Sequence, residues 1–88
     1  MVSFRFAEQL RGATLSISNN IAEGSGSSSK KDFAHYLNIA HRSTFEVANI
    51  LINLHQEGLV DEKQFRLLIE NLNHLSRRIT NFKKSLFR

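Results

Sequence analysis

The sequence predicts an all-α fold, an antiparallel up-down bundle of three long helices that assembles as a homo-oligomer. Two segments repeat apolar residues at alternating steps of three and four, which is the period of helices packed along a seam. Proline is absent from the 88 residues, so no helix is interrupted by it. We expect helices at about 4–23, 30–57 and 61–87, forming one helical-bundle domain over residues 1–88.

The predicted first helix carries a polar stripe beside its apolar stripe. Positions 16, 20 and 23 follow the spacing of one helix face, next to the apolar residues Leu10, Ala13, Ile17 and Ile21. Polar side chains at the border of a core cost about 1–3 kcal/mol each when they lack hydrogen-bond partners, so facing polar residues are expected on another helix. The predicted structural polar network contains Ser16, Asn20, Glu23, Ser43 and Glu46.

The predicted second helix has clear signals at both ends. Ser29 is the expected N-cap, and Asp32 stands at the third helical position, as in a capping box. Gly58 is expected to end the helix in the left-handed conformation that other residues adopt at a cost. The seam between these ends is Phe33, Leu37, Ala40, Thr44, Val47, Leu51 and Leu54.

The predicted third helix begins with a cap and a hydrophobic staple. Asp61 is the expected cap with Gln64 as its partner, and Val60 and Phe65 have the spacing of the staple. Because the connection after Gly58 is so short, the second and third helices are expected to be antiparallel neighbours. The seam is Phe65, Leu68, Leu72, Leu75, Ile79, Phe82 and Leu86.

Some apolar residues lie outside these seams. Ile39, Phe45 and Ile52 are interpreted as a far-side surface of the second helix. A helix that is apolar on two faces is normally covered on both, either by a further helix or by another subunit. Scattered surface apolar residues are the plainer alternative. We favour self-association, because three such residues on one face of one helix are more than scattered exposure explains, and because a chain of this length buries only about 60–65% of its unfolded surface.

The charge pattern suggests a nucleic-acid-binding surface. The formal net charge is +4, and no acid follows Glu70. A solvated face and helix-dipole stabilisation are the structural alternatives. Because no aromatic residue interleaves with the cations in an arrangement that stacks on bases, binding is expected to be phosphate-dominated, salt-sensitive and weakly sequence-specific. The candidate nucleic-acid-binding residues are Arg77, Arg78, Lys83, Lys84 and Arg88.

Other patterns argue against an enzyme, a cofactor or a metal site. The chain has no cysteine, which excludes disulfides and cysteine chemistry, and its four histidines show no converging set of ligands. The segment from Gly24 to Lys30 lacks the spacing of a phosphate-binding loop. Glu23 and Glu46 are interpreted as structural carboxylates, with a catalytic dyad as the sharper alternative.

One set of residues along the first two predicted helices carries a family resemblance: 9–13, 16–17, 20–24, 26, 29–33, 36–37, 39–40, 43 and 46. In these residues the chain resembles a bacterial four-helix-bundle family encoded in intervening sequences of 23S ribosomal RNA genes. The resemblance runs from about Phe6 to about Leu51 and more loosely through the last helix. The family usually has proline at Ser18, a basic pair at Ser27 and Ser28, and a further helix before Phe4, so the chain resembles the family without its opening helix.

The resemblance implies a ring-like homo-oligomer, with a pentamer as the expected form. Related bundles are accessory proteins of retroelements, which implies RNA, or an RNA-handling enzyme such as a reverse transcriptase, as the partner. The alternative is a structural or partner-binding module without nucleic-acid binding. No signal peptide or membrane span is predicted, so a soluble cytoplasmic protein is expected.

Overall fold

The computed structural model describes residues 4–88, which fold into three α-helices. They are α1 (Phe4–Ser25), α2 (Lys30–Gln56) and α3 (Glu62–Ser85). No strand occurs within this described range, so the prediction of an all-α fold is confirmed. The expected boundaries agree with the structure to within two residues at each end.

The predicted capping residues of α2 and α3 are confirmed. Ser29 Oγ accepts a hydrogen bond from the Asp32 backbone N–H at 3.0 Å, and Asp61 Oδ1 accepts one from the Gln64 N–H at 2.7 Å. Each bond satisfies a backbone donor that has no partner inside its helix.

The C-terminus of α2 ends in the left-handed glycine that the sequence predicts. Gly58 has φ of 75°, and its N–H donates to the carbonyl of His55 at 3.0 Å. The Leu59 N–H reaches back to the carbonyl of Leu54 at 2.9 Å, which completes a Schellman motif. The chain thereby turns from α2 into α3 within a few residues.

Helix α1 continues two residues past its expected end. We expected it to stop near Glu23, but it runs through Gly24 to Ser25. The Gly26 N–H lies 3.2 Å from the carbonyls of both Ala22 and Glu23, so the terminal carbonyls keep partners. Gly24 therefore serves packing rather than helix termination.

The core lies along α2, which contacts both other helices. One cluster joins α1, α2 and α3 in the half of the molecule around Ile50, and a second lies around Ala40 and Ile79. Within the described residues, α1 and α3 each pack against α2 and make no close backbone approach to each other. The buried apolar residues are Ala13, Ile17, Ala34, Leu37, Ala40, Val47, Ile50, Leu51, Leu54 and Ile79.

The helices form a flattened layer that is wider than it is thick. The principal extents of the Cα trace are 45 × 23 × 13 Å. Gly24, near the end of α1, lies against Phe33 near the start of α2, while Ala13 shares a pocket with Ile50 farther along α2. The start of α3 lies beside the end of α2, where the side chains of His55 and Glu62 are bonded.

Candidate nucleic-acid interface

The basic residues of α3 point in several directions rather than forming one face. Arg77 and Lys84 are seven residues apart and share an exposed face of α3. Lys83 is half-buried, and its Nζ donates a hydrogen bond to Oδ1 of Asn38 on α2 at 2.6 Å. Arg78 borders an apolar groove instead. The cations are therefore spread around the helix axis, because neighbouring residues of a helix point in different directions.

The aromatic residues near the end of α3 also differ from expectation. Phe82 contacts Phe33 of α2, with ring centroids 5.3 Å apart, and so belongs to the packing between the helices. Phe87 lies beyond Ser85 and is 61% exposed, directly before the exposed Arg88. The sequence prediction that no aromatic residue interleaves with the cations overlooked this exposed ring, which lies between Lys84 and Arg88 along the chain.

Positive charge is concentrated in one half of the molecule. Two interhelix hydrogen bonds, between His41 and Ser76 and between Ser43 and Ser16, divide the molecule near its middle. The residues on one side of them are called the basic half, and they are 17–43 and 76–88. They contain eight Lys or Arg and two Asp or Glu, whereas the remaining residues contain four Lys or Arg and six Asp or Glu. The charged residues of the basic half are Lys30, Lys31, Arg42, Arg77, Arg78, Lys83, Lys84 and Arg88, with Glu23 and Asp32 as the acids.

Sequence reasoning missed the contribution of α2 to this charge. Lys30 and Lys31 begin α2, and Arg42 lies near its middle. The contact between Asn38 and Lys83 brings this part of α2 beside the end of α3. The short connection after α2 was the available signal, since antiparallel neighbours place the start of one helix beside the end of the next.

At the opposite end of α3, the acid Glu62 is bonded to Arg66 and His55. Glu62 Oε1 accepts a hydrogen bond from Arg66 Nε at 2.9 Å, and Glu62 Oε2 lies 2.7 Å from His55 Nε2. The hydrogen bond from Arg66, followed by that from His55, holds the pKa of the Glu62 carboxyl below its usual 4.5. The His55 ring also stacks on Phe65, with centroids 4.2 Å apart. Phosphate groups therefore find fewer free cations here than in the basic half.

Three residues of the predicted polar network meet between α1 and α2. Asn20 Nδ2 donates to the Ser16 carbonyl at 2.7 Å and lies 3.1 Å from Ser16 Oγ, and Ser43 Oγ donates to Ser16 Oγ at 2.8 Å. Glu23 and Glu46 are exposed, which corrects the interpretation of both as partly buried carboxylates. At the level of Glu23, the contact with α2 runs through the buried Gly24 instead.

A second polar cluster, not predicted, joins α2 to α3. His41 Nε2 lies 2.7 Å from Ser76 Oγ and 3.5 Å from Thr80 Oγ1. Ser76 directly follows the seam residue Leu75, and Thr80 directly follows Ile79. This position at the edge of the seam was the sequence signal that both side chains lie at the interface. Among the hydrogen bonds of residues 4–88, none joins a carboxylate to the pair of His41 and Ser76, so the third member of a catalytic triad is missing there.

The predicted oligomer-interface residues do not share one face. Phe45 is 61% exposed and Ile52 is 41% exposed, and they are seven residues apart on α2. Ile39 is half-buried, and its six-residue separation from Phe45 turns it about 120° around the helix. The ring of Phe45 packs edge-on against His41, with centroids 5.0 Å apart. The exposed apolar surface of α2 therefore consists of Phe45 and Ile52.

An apolar groove runs between α1 and α3 on the other side of the layer. It has a volume of about 350 Å³ and a floor on α2, and it remains open because the backbones of the two flanking helices do not approach each other closely. Leu68 on its wall is 41% exposed. The lining residues are Thr14, Ile17, Ser18, Val47, Leu51, Leu68, Asn71, Leu72 and Leu75.

Metal-binding and membrane-spanning features are absent from the part of the chain that the structure describes. No group of three or more potential metal ligands occurs among residues 4–88, and His74 has only Glu70 beside it, at 4.0 Å. Of these helices, none combines the length and the apolar character needed to cross a bilayer.

Comparison with known proteins identifies a family. The model of the 23S rRNA-intervening sequence protein family matches residues 2–81, which is most of the chain. Comparison with curated proteins and with solved structures gave no match. The resemblance inferred from the motif around Asn20 and Gly24 is confirmed by this match. The chain therefore belongs to the 23S rRNA-intervening sequence protein family.

Proposed function

We propose that this chain is a non-enzymatic helical-bundle protein that self-associates and binds RNA through its basic half. The observation that carries the proposal is the uneven charge: eight cations and two acids lie in the basic half, whereas acids outnumber cations elsewhere. Clustered cations attract a phosphate backbone and release its counterions, and this interaction requires no particular base sequence.

The exposed cations provide the phosphate contacts in this proposal. Arg77, Lys84 and Arg88 are exposed and belong to no ion pair with a carboxylate among the described residues. Lys30 and Lys31 add charge from the start of α2. The order of the interhelix contacts supports an antiparallel up-down bundle, in which these two sources of charge lie at the same end.

Self-association forms the second part of the proposal. Phe45 and Ile52 offer an exposed apolar strip on α2, and family membership favours a ring of subunits, for which a pentamer is the expected stoichiometry. A ring repeats the basic half once per subunit, so one RNA contacts several copies and binds more tightly than it binds one. A cytoplasmic location agrees with this role.

The test compares two triple variants with equal losses of charge. The first replaces Arg77, Lys84 and Arg88 with Ala; the matched control replaces three exposed cations of the other half, Arg5, Arg11 and Lys63. Labelled single-stranded RNA is titrated at several salt concentrations. We expect the first triple to lower affinity and to reduce the slope of log K against log salt by up to about three units, with a much smaller change in the control.

Equal losses from both triples would contradict a localised RNA interface, and absence of binding by the wild type at low salt would contradict RNA binding itself. The second outcome favours the other candidate function, a module that binds a protein partner such as a reverse transcriptase. The open groove beside Leu68 supports this candidate. Because Arg78 borders the continuation of the groove and no acid lines it, the fitting partner is an amphipathic helix with acidic residues beside its apolar stripe.

A further inference from the structure

We propose that a cavity between α2 and α3 binds one phosphate group. The cavity has a volume of about 170 Å³ and lies within the basic half. This is well above the roughly 10–15 Å³ needed for one water molecule, so it has room for a phosphate group. The inference rests on the proposed RNA binding and identifies one contact within it. The lining residues are Leu37, Asn38, His41, Ile79, Thr80 and Lys83.

The polar atoms of this cavity are suited to an anion. Lys83 Nζ uses one N–H to bond Asn38 Oδ1 at 2.6 Å and retains two more donors. That bond also fixes the Asn38 side chain with its oxygen toward Lys83, which leaves the amide nitrogen as a donor. Thr80 adds a hydroxyl. No Asp or Glu lines the cavity, so a bound phosphate meets donors and one cation without a competing carboxylate.

The partial burial of these groups strengthens the interaction with an anion. Lys83, His41 and Thr80 are each half-buried between the helices, where water screens charge less than it does at Lys84. Lys83 is also held in place by Asn38, so less side-chain freedom is lost when an anion binds. His41 is held in turn by Ser76. The site is therefore preorganised by bonds that already join α2 to α3.

The test uses the full chain and two lysine variants. Lys83→Gln and Lys63→Gln remove the same charge from α3, but Lys63 is exposed outside the basic half and only Lys83 lines the cavity. Thr80→Val removes one hydroxyl and leaves the side-chain shape nearly unchanged. Its control is Thr14→Val, which makes the same change at an exposed position of α1. Inorganic phosphate is titrated into labelled protein at constant ionic strength, with acetate as the comparison anion, and backbone amide shifts are followed by NMR.

We expect saturable shifts centred on Asn38, His41, Thr80 and Lys83 with phosphate and much smaller shifts with acetate. Lys83→Gln should weaken phosphate binding about tenfold and Thr80→Val severalfold, since charged hydrogen bonds contribute more than neutral ones. Lys63→Gln and Thr14→Val should change it less than twofold. The amide spectrum of each free variant reports whether the fold is intact. Equal losses from both lysine variants, or equal shifts with acetate, would overturn the phosphate site.

An RNA arm separates this proposal from the function on which it rests. Should RNA bind to the wild type and to Thr80→Val with equal affinity, the cavity is not an RNA contact and only the basic half remains. Should inorganic phosphate fill the cavity while RNA fails to bind, the phosphate site stands and the RNA-binding proposal falls.

Discussion

At the scale of single residues, Gly24 is required by packing rather than by backbone conformation. It is buried within α1, and a Cβ added there would lie 2.7 Å from Phe33 Cδ1 and 3.0 Å from Tyr36 Cβ. The Phe33 ring has some freedom to move, but Tyr36 Cβ is attached directly to the backbone of α2. The glycine thus allows the two helices to approach closely at this level.

We expect Gly24→Ala to destabilise the protein by about 1–3 kcal/mol, because overpacking outweighs the helix propensity that alanine gains. Gly12→Ala is the matched control, since it lies in the same helix with no atom within 4 Å of the added Cβ. The control should stabilise the protein by about 0.5–1 kcal/mol. Thermal or urea unfolding measures both, and an increase in stability for Gly24→Ala would show that the helices separate at little cost.

The structural role of a polar residue was predictable where its position beside an apolar stripe required a hydrogen-bond partner. Ser16, Asn20 and Ser43 are polar positions beside an apolar stripe, and the structure joins them. Glu23 and Glu46 shared the periodicity but lie exposed. Periodicity gives the direction of a side chain, whereas its burial depends on how closely the neighbouring helix approaches at that level.

At the scale of the elements, the helix ends were the most predictable features. Each of these ends depends on hydrogen bonds to the backbone of residues that are close in sequence, so a short motif is enough to predict it. The residues are the caps Ser29 and Asp61 and the terminating Gly58. The end of α1 was less predictable, because the buried contact of Gly24 with α2 is not local.

The link between α2 and α3 should respond to acid through Glu62. Its pKa lies below 4.5 in the folded protein because of the hydrogen bonds from Arg66 and His55. A lowered pKa stabilises the fold above the unfolded value, and this contribution is lost as pH falls through the folded value.

We expect Arg66→Gln to raise the pKa of Glu62 toward 4.5, because it removes the largest cause of the shift. A side-chain carboxyl titration by NMR measures the change. Lys63→Gln is the control, since Lys63 contributes no cause to the shift, and it should move the pKa less. An unchanged Glu62 pKa in Arg66→Gln would show that this ion pair does not persist in solution.

At the scale of the whole molecule, the layer has two unlike surfaces. One contains the apolar groove around Leu68, and α2 exposes Phe45 and Ile52 elsewhere. Heptad periodicity predicted the seams, but it could not show that the backbones of α1 and α3 stay apart, because helix separation depends on three-dimensional packing. The distribution of charge between the two halves was likewise visible only once α2 and α3 were placed together.

We expect Phe45→Glu to dissociate the proposed oligomer while helix content stays largely unchanged, because a charge in the centre of an apolar contact is costly to bury. Native mass measurement and circular dichroism report the two effects. Leu15→Glu, at a residue 47% exposed on α1, is the control and should keep the wild-type mass. A monomeric wild type would contradict self-association through this surface.

The lack of close backbone approach between α1 and α3 has a consequence for how the fold opens. Each outer helix makes its close backbone contacts with α2 alone, as a terminal repeat does with its single neighbour. If α1 separates, the hydrogen bonds between α2 and α3 at His41 and Lys83 remain. If α3 separates, the hydrogen bond between Ser43 of α2 and α1 remains. Amide hydrogen exchange should therefore be slowest in the middle of α2, while the two outer helices open independently of each other.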